Sequence, residues 1–540
     1  MRIALVAVIL GACSAAPRIP SPLTEDPAVV VGCRPDLVTG TRAKRVDCSG
    51  ELVRGYLAAG RLGDIVMENA RVKIIIRAAG DGYYQHGSFG GGIVDAVANG
   101  GEDLIKEVLP LVDLAVATSD EVVITEAGDD GLAEVVVRGR ASALDIMVAA
   151  LSRQPPAVTI EHRYRLRADT AAVEIQTRIW ADDPTERSLP LYDGLFLGGR
   201  ARAFLPGKGF VDGTGSAEII ATDGTSTSYG IAYPSGQPNP QLADFASIRF
   251  ALGGDVDDQG LLRYFIIGDG SVASVTETGW RLRGQEVVEI RGTAPPRADI
   301  VVRRDDAVLT VGRADDAGTY RLAVPAGMYE LRAEQAGRTP GPARAVTVAG
   351  EAVEANLLAG RGGTLRVSVH DGAAPLPARV TIAANGASSK QITWTDASGS
   401  RDIKLEPGTY EIVVSRGVEY DAFVATSIVV GDGAVVPLDV SLSRVVDTIG
   451  WISLDTHLHS ELSTDSTMPI DDRLRAVAGE GVEVAVATDH DVIADYGPTI
   501  EALGLERWLH GVSGAETSSI VWGHVNGYPL RADPARTGRG

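Results

Sequence analysis

The sequence predicts a multidomain chain in which β-sandwich domains are followed by an α/β segment. Three observations lead there. At 540 residues the chain is too long for one hydrophobic core. From about Gly50 to Ile290, apolar and polar residues alternate with period two between turn residues, and long amphipathic helical patterns are scarce. After Ile449 the grammar changes to short apolar runs separated by a helical stretch, with histidines and carboxylates following each run.

Composition narrows the function classes. A hydrophobic content of 45% describes globular protein rather than disorder. The formal charge of −21 argues against a nucleic-acid partner, which needs a basic patch.

The N-terminus reads as a targeting segment. Arg2 precedes the short apolar stretch Ile3 to Leu10, and Leu10-Gly11-Ala12-Cys13 has the form of a lipobox. The run is too short to span a bilayer, and no later segment is apolar for long enough. The segment resembles those of bacterial lipoproteins. That resemblance implies a signal peptide over residues 1–12, cleavage before Cys13 and lipidation of its thiol. An ordinary signal peptide with a chance cysteine is the alternative. The expected location is the bacterial cell envelope, lipid-anchored and either periplasmic or surface-exposed. Residues 13–49 are expected to hold a tether, Ser14 to Pro27 with Pro17, Pro20, Pro22 and Pro27, and then the segment with Cys33 and Cys48. In an oxidising compartment Cys33 and Cys48 would most simply pair, worth about 3 kcal/mol in the chain-entropy model. Two free buried thiols are the alternative.

Residues 50–290 are expected to form one large β-sandwich. Val158, Ile160, His162, Tyr164 and Leu166 alternate with polar neighbours, as do Val173, Ile175, Thr177 and Ile179 after a turn. The pattern loosely resembles the galactose-mutarotase-like supersandwich. His162, on an apolar strand face, is expected to be a hydrogen-bonded core histidine. Gly87 to Gly92 is read as a flexible loop rather than a phosphate cradle, since the strand–helix context is lacking. Asp255 to Gly260 is read as a solvated hairpin turn rather than a calcium loop.

Two copies of a smaller unit follow, over residues 291–360 and 361–447. The stretch Asp316 to Tyr329 and the stretch Asp396 to Tyr410 both run from a glycine turn through a short strand and a Pro/Gly turn to a tyrosine opening the next strand. The unit resembles carboxypeptidase-regulatory-like, transthyretin-like β-sandwich modules, which implies a spacer or rigid support.

Residues 448–540 carry the chemistry. Trp451 to Leu454 reads as a strand, Asp471 to Gly479 as a helix, Glu483 to Thr488 as a second strand, and Val512 to Ala515 as the start of a third. Asp455-Thr456-His457-Leu458-His459, Thr488-Asp489-His490-Asp491, Gly514-Ala515-Glu516 and Gly523-His524 follow or end these runs. Residues two apart on a strand share a face, so Asp455, His457 and His459 would project together. Imidazole combined with carboxylate suits zinc, manganese or iron better than calcium. Five of the chain's eight histidines lie in this segment: His457, His459, His490, His510 and His524.

The Asp-Thr-His-Leu-His and Thr-Asp-His-Asp elements resemble the opening of a PHP (polymerase and histidinol phosphatase) domain. The loop Ser463-Thr464-Asp465-Ser466, with Gly514-Ala515-Glu516 and Trp522-Gly523-His524-Val525-Asn526, resembles the CehA/McbA-like branch. The resemblance implies the first part of a distorted (β/α)7 barrel holding two or three divalent ions. It assigns His457, His459, Asp465, His490, Glu516 and His524 as metal ligands, with Glu516 bridging ions. Asp455 and Asp489 would support the ligands from behind, and His510 matches no motif. The implied activity is hydrolysis by a metal-bound hydroxide, of a phosphoester first, with ester or carbamate cleavage within the same branch. The substrate is a small molecule or phosphoester, and no individual catalytic residue is assigned. Family members draw further ligands, including a late Asp-x-His element, from later strands, so a C-terminally incomplete barrel is expected. The rival expectation is a non-catalytic envelope lipoprotein that binds a glycan through its sandwiches and carries a vestigial PHP segment.

Overall fold

Alternation builds the first and largest unit. In the strand Val158–Arg167 the residues Val158, Ile160, His162, Tyr164 and Leu166 are buried, matching the period-two reading. The computed structural model describes residues 40–531 apart from 54–56, 81–88, 144–153, 182–186, 199–200, 246–247, 464, 491 and 520–522. The expected signal peptide, Cys13, Cys33 and the proline-rich tether lie outside the described residues, as do Gly87, Ser88 and Trp522. Cys48 is disulfide-bonded.

The strands from Thr41–Arg45 to Leu261–Gly268 form one hydrogen-bonded network of 19 strands. The long strand Leu132–Ala143 links two layers. Its last residues pair with Ala115–Ala117, while the rest of it pairs with Glu121–Ala127 and Val158–Arg167. Between the layers lie Ile65, Ile74, Val135, Tyr164, Leu166, Val173, Ile175 and Phe265. Fully burying a large aliphatic side chain contributes about 1.5–3 kcal/mol, so this face dominates the unit's stability. Asp257 Oδ1 accepts from the backbone N–H groups of Gln259 and Gly260, closing a hairpin turn between Ile248–Val256 and Leu261–Gly268.

A helix stands where the sequence reading placed none. Val272–Leu282 is capped by Ser271, whose hydroxyl accepts from the Ser274 N–H. Its buried face, Val272, Val275 and Trp280, joins residues of the large sandwich and of the next domain in one core.

The two smaller units are both two-sheet sandwiches. The first pairs a three-stranded sheet with a four-stranded one, and its opening strand Val287–Thr293 spans the expected boundary at 290/291. In the second, Gly363–Asp371 pairs in parallel with the last strand Val435–Ser441, as Val287–Thr293 does with Val353–Glu354 in the first. Both repeat their turn chemistry. Asp315 Oδ1 accepts from the N–H groups of Ala317 and Thr319, and Asp396 Oδ1 from those of Ser398 and Ser400. The structure thus matches Asp315, rather than Asp316, to Asp396. The Tyr329 hydroxyl donates to the Pro325 carbonyl and the Tyr410 hydroxyl to that of Glu406, the same span of four residues.

The last segment is α/β. Three parallel strands, Leu454–Leu458, Val484–Ala487 and His510–Val512, lie side by side, with helices Ile470–Gly479 and Gly497–Ala502 packed against them. The first strand starts at Leu454, later than expected; the exposed Ser453 before it lends its carbonyl to the N–H groups of Glu483 and Val484. An antiparallel hairpin, Ala515–Ser519 with Gly523–Gly527, follows the third strand. The parallel sheet is open among the described residues. The segment is anchored to the second small sandwich. Arg416 donates to the carbonyls of Pro377 and Ala478, and Arg379 pairs with Glu480 at 3.4 Å. Among the described residues, no helix is long and apolar enough to cross a membrane.

Candidate metal centre

Local chemistry aims each ligand-type side chain. His457 and Asp455 sit on the strand Leu454–Leu458, and His459 follows its end. The next strand ends at Ala487, where the Thr488 hydroxyl bonds both the N–H and the carbonyl of Leu458, tying the two strand ends together. Asp489 then turns inward. It accepts from the Ser460 N–H at 2.6 Å, the Ser460 hydroxyl at 2.9 Å and the Tyr496 hydroxyl at 3.0 Å. That leaves His490 as the side chain projected into the cluster. Glu516 arrives on the hairpin, where its N–H donates to the Asp489 carbonyl. A side chain at Gly514 would collide with the Ala487 and Gly527 carbonyls, so only glycine allows the hairpin to approach this closely.

All six expected ligands come together. Glu516 Oε2 lies 3.0 Å from His457 Nε2, 3.1 Å from His459 Nε2 and 3.6 Å from His490 Nδ1, while Oε1 lies 3.0 Å from His524 Nδ1. Asp465 makes the second bridge, with Oδ1 3.0 Å from His459 Nδ1 and Oδ2 3.3 Å from His490 Nε2. The rings follow one another at centroid separations of 4.9, 4.7 and 5.0 Å from His457 through His459 and His490 to His524. Three overlapping groups could each hold a metal ion: His457, His459 and Glu516; His459, Asp465 and His490; His490, Glu516 and His524.

The donor set fits cations for a specific reason. A neutral imidazole has one N–H and one lone pair, whereas a carboxylate only accepts. His459 and His490 each face carboxylate oxygens with both ring nitrogens. Either both rings are charged, or a lone pair confronts an oxygen lone pair at a distance that a shared cation would relieve. The carboxylates are held ionised. Burial alone would raise Asp465, but hydrogen bonds from His459, His490 and Ser463 outweigh it and keep the group well below the usual carboxylate range. Burial is likewise outweighed at Glu516, chiefly by His457, so its carboxyl is also lowered. The Asp465 contact raises His459. Glu516 and His490 are buried, with side chains 4% and 8% exposed, whereas His457 and His524 are about half exposed. The cluster therefore opens to solvent on the His457 and His524 side.

The two supporting carboxylates act on backbone rather than on imidazoles. Asp455 accepts from the His457 N–H at 3.1 Å, and Asp489 holds Ser460. His510 is exposed on its strand and is not part of any of the three groups. Sequence reasoning gave no role to Ser463. Its hydroxyl donates to Asp465 Oδ1 at 2.7 Å, lies 2.9 Å from His459 Nδ1 and accepts from the His490 N–H at 3.1 Å. Its place in the Ser-Thr-Asp-Ser loop was the available signal. Lys106, from the large sandwich, was also missed: its ammonium donates to the Ser463 carbonyl. The charged pair Lys106-Glu107 inside the otherwise apolar strand Ile105–Val112 was the trace it left in the sequence.

Comparison with known proteins adds little to this geometry. No family model matches the chain, and no curated protein matches it. Among solved structures, the TIE protein of Bacillus anthracis aligns over 70% of this chain at 14% identity, with a TM-score of 0.15. The chain spans 61% of that protein's length. The shaft pilin SpaA from Lactobacillus rhamnosus GG aligns over 30% of this chain and 99% of its own, at 13% identity and a TM-score of 0.21. A TPR-domain containing protein from Parabacteroides distasonis covers 43% of this chain and 56% of its own, at 8% identity and a TM-score of 0.29. At these scores the likenesses define neither fold nor function.

Proposed function

We propose that this chain is a metal-dependent hydrolase of the PHP type, acting first on phosphoesters, with ester or carbamate cleavage within reach of the same chemistry. The observation that carries the reading is the convergence of three overlapping ligand groups on Glu516, His490 and His459 from two strand ends and a hairpin. Mixed imidazole and carboxylate donors favour zinc, manganese or iron, and three groups that share members suit two or three ions. His457, His459, Asp465, His490, Glu516 and His524 would hold them. Bound divalent ions supply Lewis acidity and a nucleophile derived from water at neutral pH.

The chain's own residues do the rest. Glu516, with both oxygens among imidazoles, would be shared between ions, and Asp465 ties His459 to His490. Asp489 and Ser463 hold the loop after His459 so that the ring nitrogens keep their directions. The half-exposed His457 and His524 form the rim at which an anionic substrate approaches. In the same proposal the protein is a lipoprotein of the bacterial envelope, anchored through Cys13.

The test is metal uptake followed by turnover. The purified chain is reconstituted with zinc, manganese or iron, its bound metal measured by mass spectrometry, and hydrolysis of bis(p-nitrophenyl) phosphate followed with and without chelator. The expected result is two or more ions per chain and chelator-sensitive hydrolysis, both lost in His457→Ala/His459→Ala. Wild-type protein that takes up no metal overturns the reading.

A further inference from the structure

We propose that Lys106 is a positioning residue of the metal centre, reaching it from a different domain. The inference rests on the metal-binding reading above and extends it to the large sandwich. Lys106 lies on the strand Ile105–Val112 and is 1% exposed. Its ammonium donates to the backbone carbonyl of Ser463, 357 residues later in the chain.

What makes this contact consequential is the identity of Ser463. A hydroxyl has one proton and two lone pairs. The Ser463 proton goes to Asp465, and its oxygen accepts from the His490 N–H and faces His459 Nδ1. Three of the six ligands are therefore referenced to one serine, and the backbone of that serine is gripped by Lys106.

The charges that act on the lysine belong to the same part of the metal centre. Burial pushes its amine down to about 8, and the pull in the opposite direction comes from Asp489, Asp465 and Glu461, all of the loop and strand end that carry the ligands. A buried ammonium is tolerated only where paired or hydrogen-bonded. Beside this contact the two domains are separated by a cleft of about 520 Å³, whose walls include Glu102 and Leu104 on one side and Glu461 and Pro469 on the other. Lys106 thus spans the edge of an open cleft to fix the loop Ser460 to Ser466. Docking of the large sandwich becomes a condition for tight metal binding, which gives that domain a role at the site beyond support.

The experiment uses the full chain and cobalt(II) as the probe, read by its visible absorption bands and by competition with a chromophoric chelator. Lys106→Met removes the donor while keeping the apolar stem. It should weaken the ion held by His459, Asp465 and His490 by about 10-fold, the lower end of what losing a direct outer partner of a metal ligand costs, because Lys106 acts through Ser463, and change the absorption bands. Lys106→Arg, which keeps a charged donor, should restore most of both. Bands and affinity unchanged in Lys106→Met would overturn the proposal. If Lys106→Met does not unfold cooperatively, Lys106→Gln, with a neutral donor of shorter reach, is read by the same two criteria. Wild-type protein that binds no cobalt would instead sink the metal reading itself, so the two failures are distinguishable.

Discussion

Glu516 Oε2 lies 3.0 Å from His457 Nε2, a contact that joins the hairpin Ala515–Ser519 to the strand Leu454–Leu458 across the candidate centre. The same carboxylate takes part in two of the three ligand groups. Glu516→Ala should therefore lose more than one ion at once. Affinity should fall by roughly 100-fold or more, since losing even an outer partner of a ligand costs 10–100-fold. Isothermal titration with zinc would read this as a drop in stoichiometry. Unchanged stoichiometry would show that the bridge assignment is wrong.

Asp489 makes a different prediction because it is buried and touches no imidazole nitrogen in the structure. Burial raises its carboxyl, against the pull of bonds from Ser460 and Tyr496. Asp489→Ala would leave the buried Ser460 N–H without its acceptor, at a cost of about 1–3 kcal/mol. Asp489→Asn can keep its oxygen toward Ser460 and turn its amide to the Tyr496 oxygen, so most of the stability should remain. Denaturant unfolding of the two variants provides the comparison. Equal destabilisation by alanine and asparagine would mean that the charge, not the acceptor, matters here.

The clustering of the ligand-type side chains was legible in part because three of them follow short apolar runs, and parallel strands bring their ends together. His457, His459 and His490 needed nothing more than that. Glu516 was read as arriving on a third strand end and His524 from its motif, whereas both sit on an antiparallel hairpin that the apolar pattern around Val512 did not reveal. The paired small sandwiches were legible because their turns are local: Asp315 and Asp396 bond N–H groups within four residues. The helix Val272–Leu282 escaped because its buried face mixes Val272, Val275 and Trp280 with Thr276 and Gly279, which blurs the apolar stripe. Lys106 could not be read at all as a partner of Ser463. Its contact is created by domain docking, and no local pattern encodes a neighbour so distant along the chain.

One buried histidine should leave its own mark on the acid response of the large sandwich. His162 lies buried on Val158–Arg167, opposite Thr177 in the neighbouring strand, and its Nδ1 is 2.8 Å from the Thr177 hydroxyl. That hydroxyl accepts from Arg263, so its own proton is available to His162, which suits a neutral ring. Arg263 is in turn paired with Asp193, both side chains fully buried, and the Tyr164 ring lies 6.5 Å from that of His162. Burial, and secondarily the Arg263 charge, push His162 down to about 3. Above about pH 6.5 the ring is neutral whether the chain is folded or not, and its contribution to stability is fully present. As pH falls below that value, the unfolded chain binds a proton that the folded one refuses. The histidine's own contribution to stability should then fall by about 1.4 kcal/mol per pH unit until the folded ring titrates near 3. His162→Gln removes this proton from the balance. Its stability measured by urea unfolding from pH 7 to pH 4 should decline less steeply than that of the wild type, by about one proton, whatever its offset at pH 7. Parallel pH profiles for the two proteins would mean that the folded core takes up the His162 proton as readily as the unfolded chain does, contrary to its burial beside Arg263.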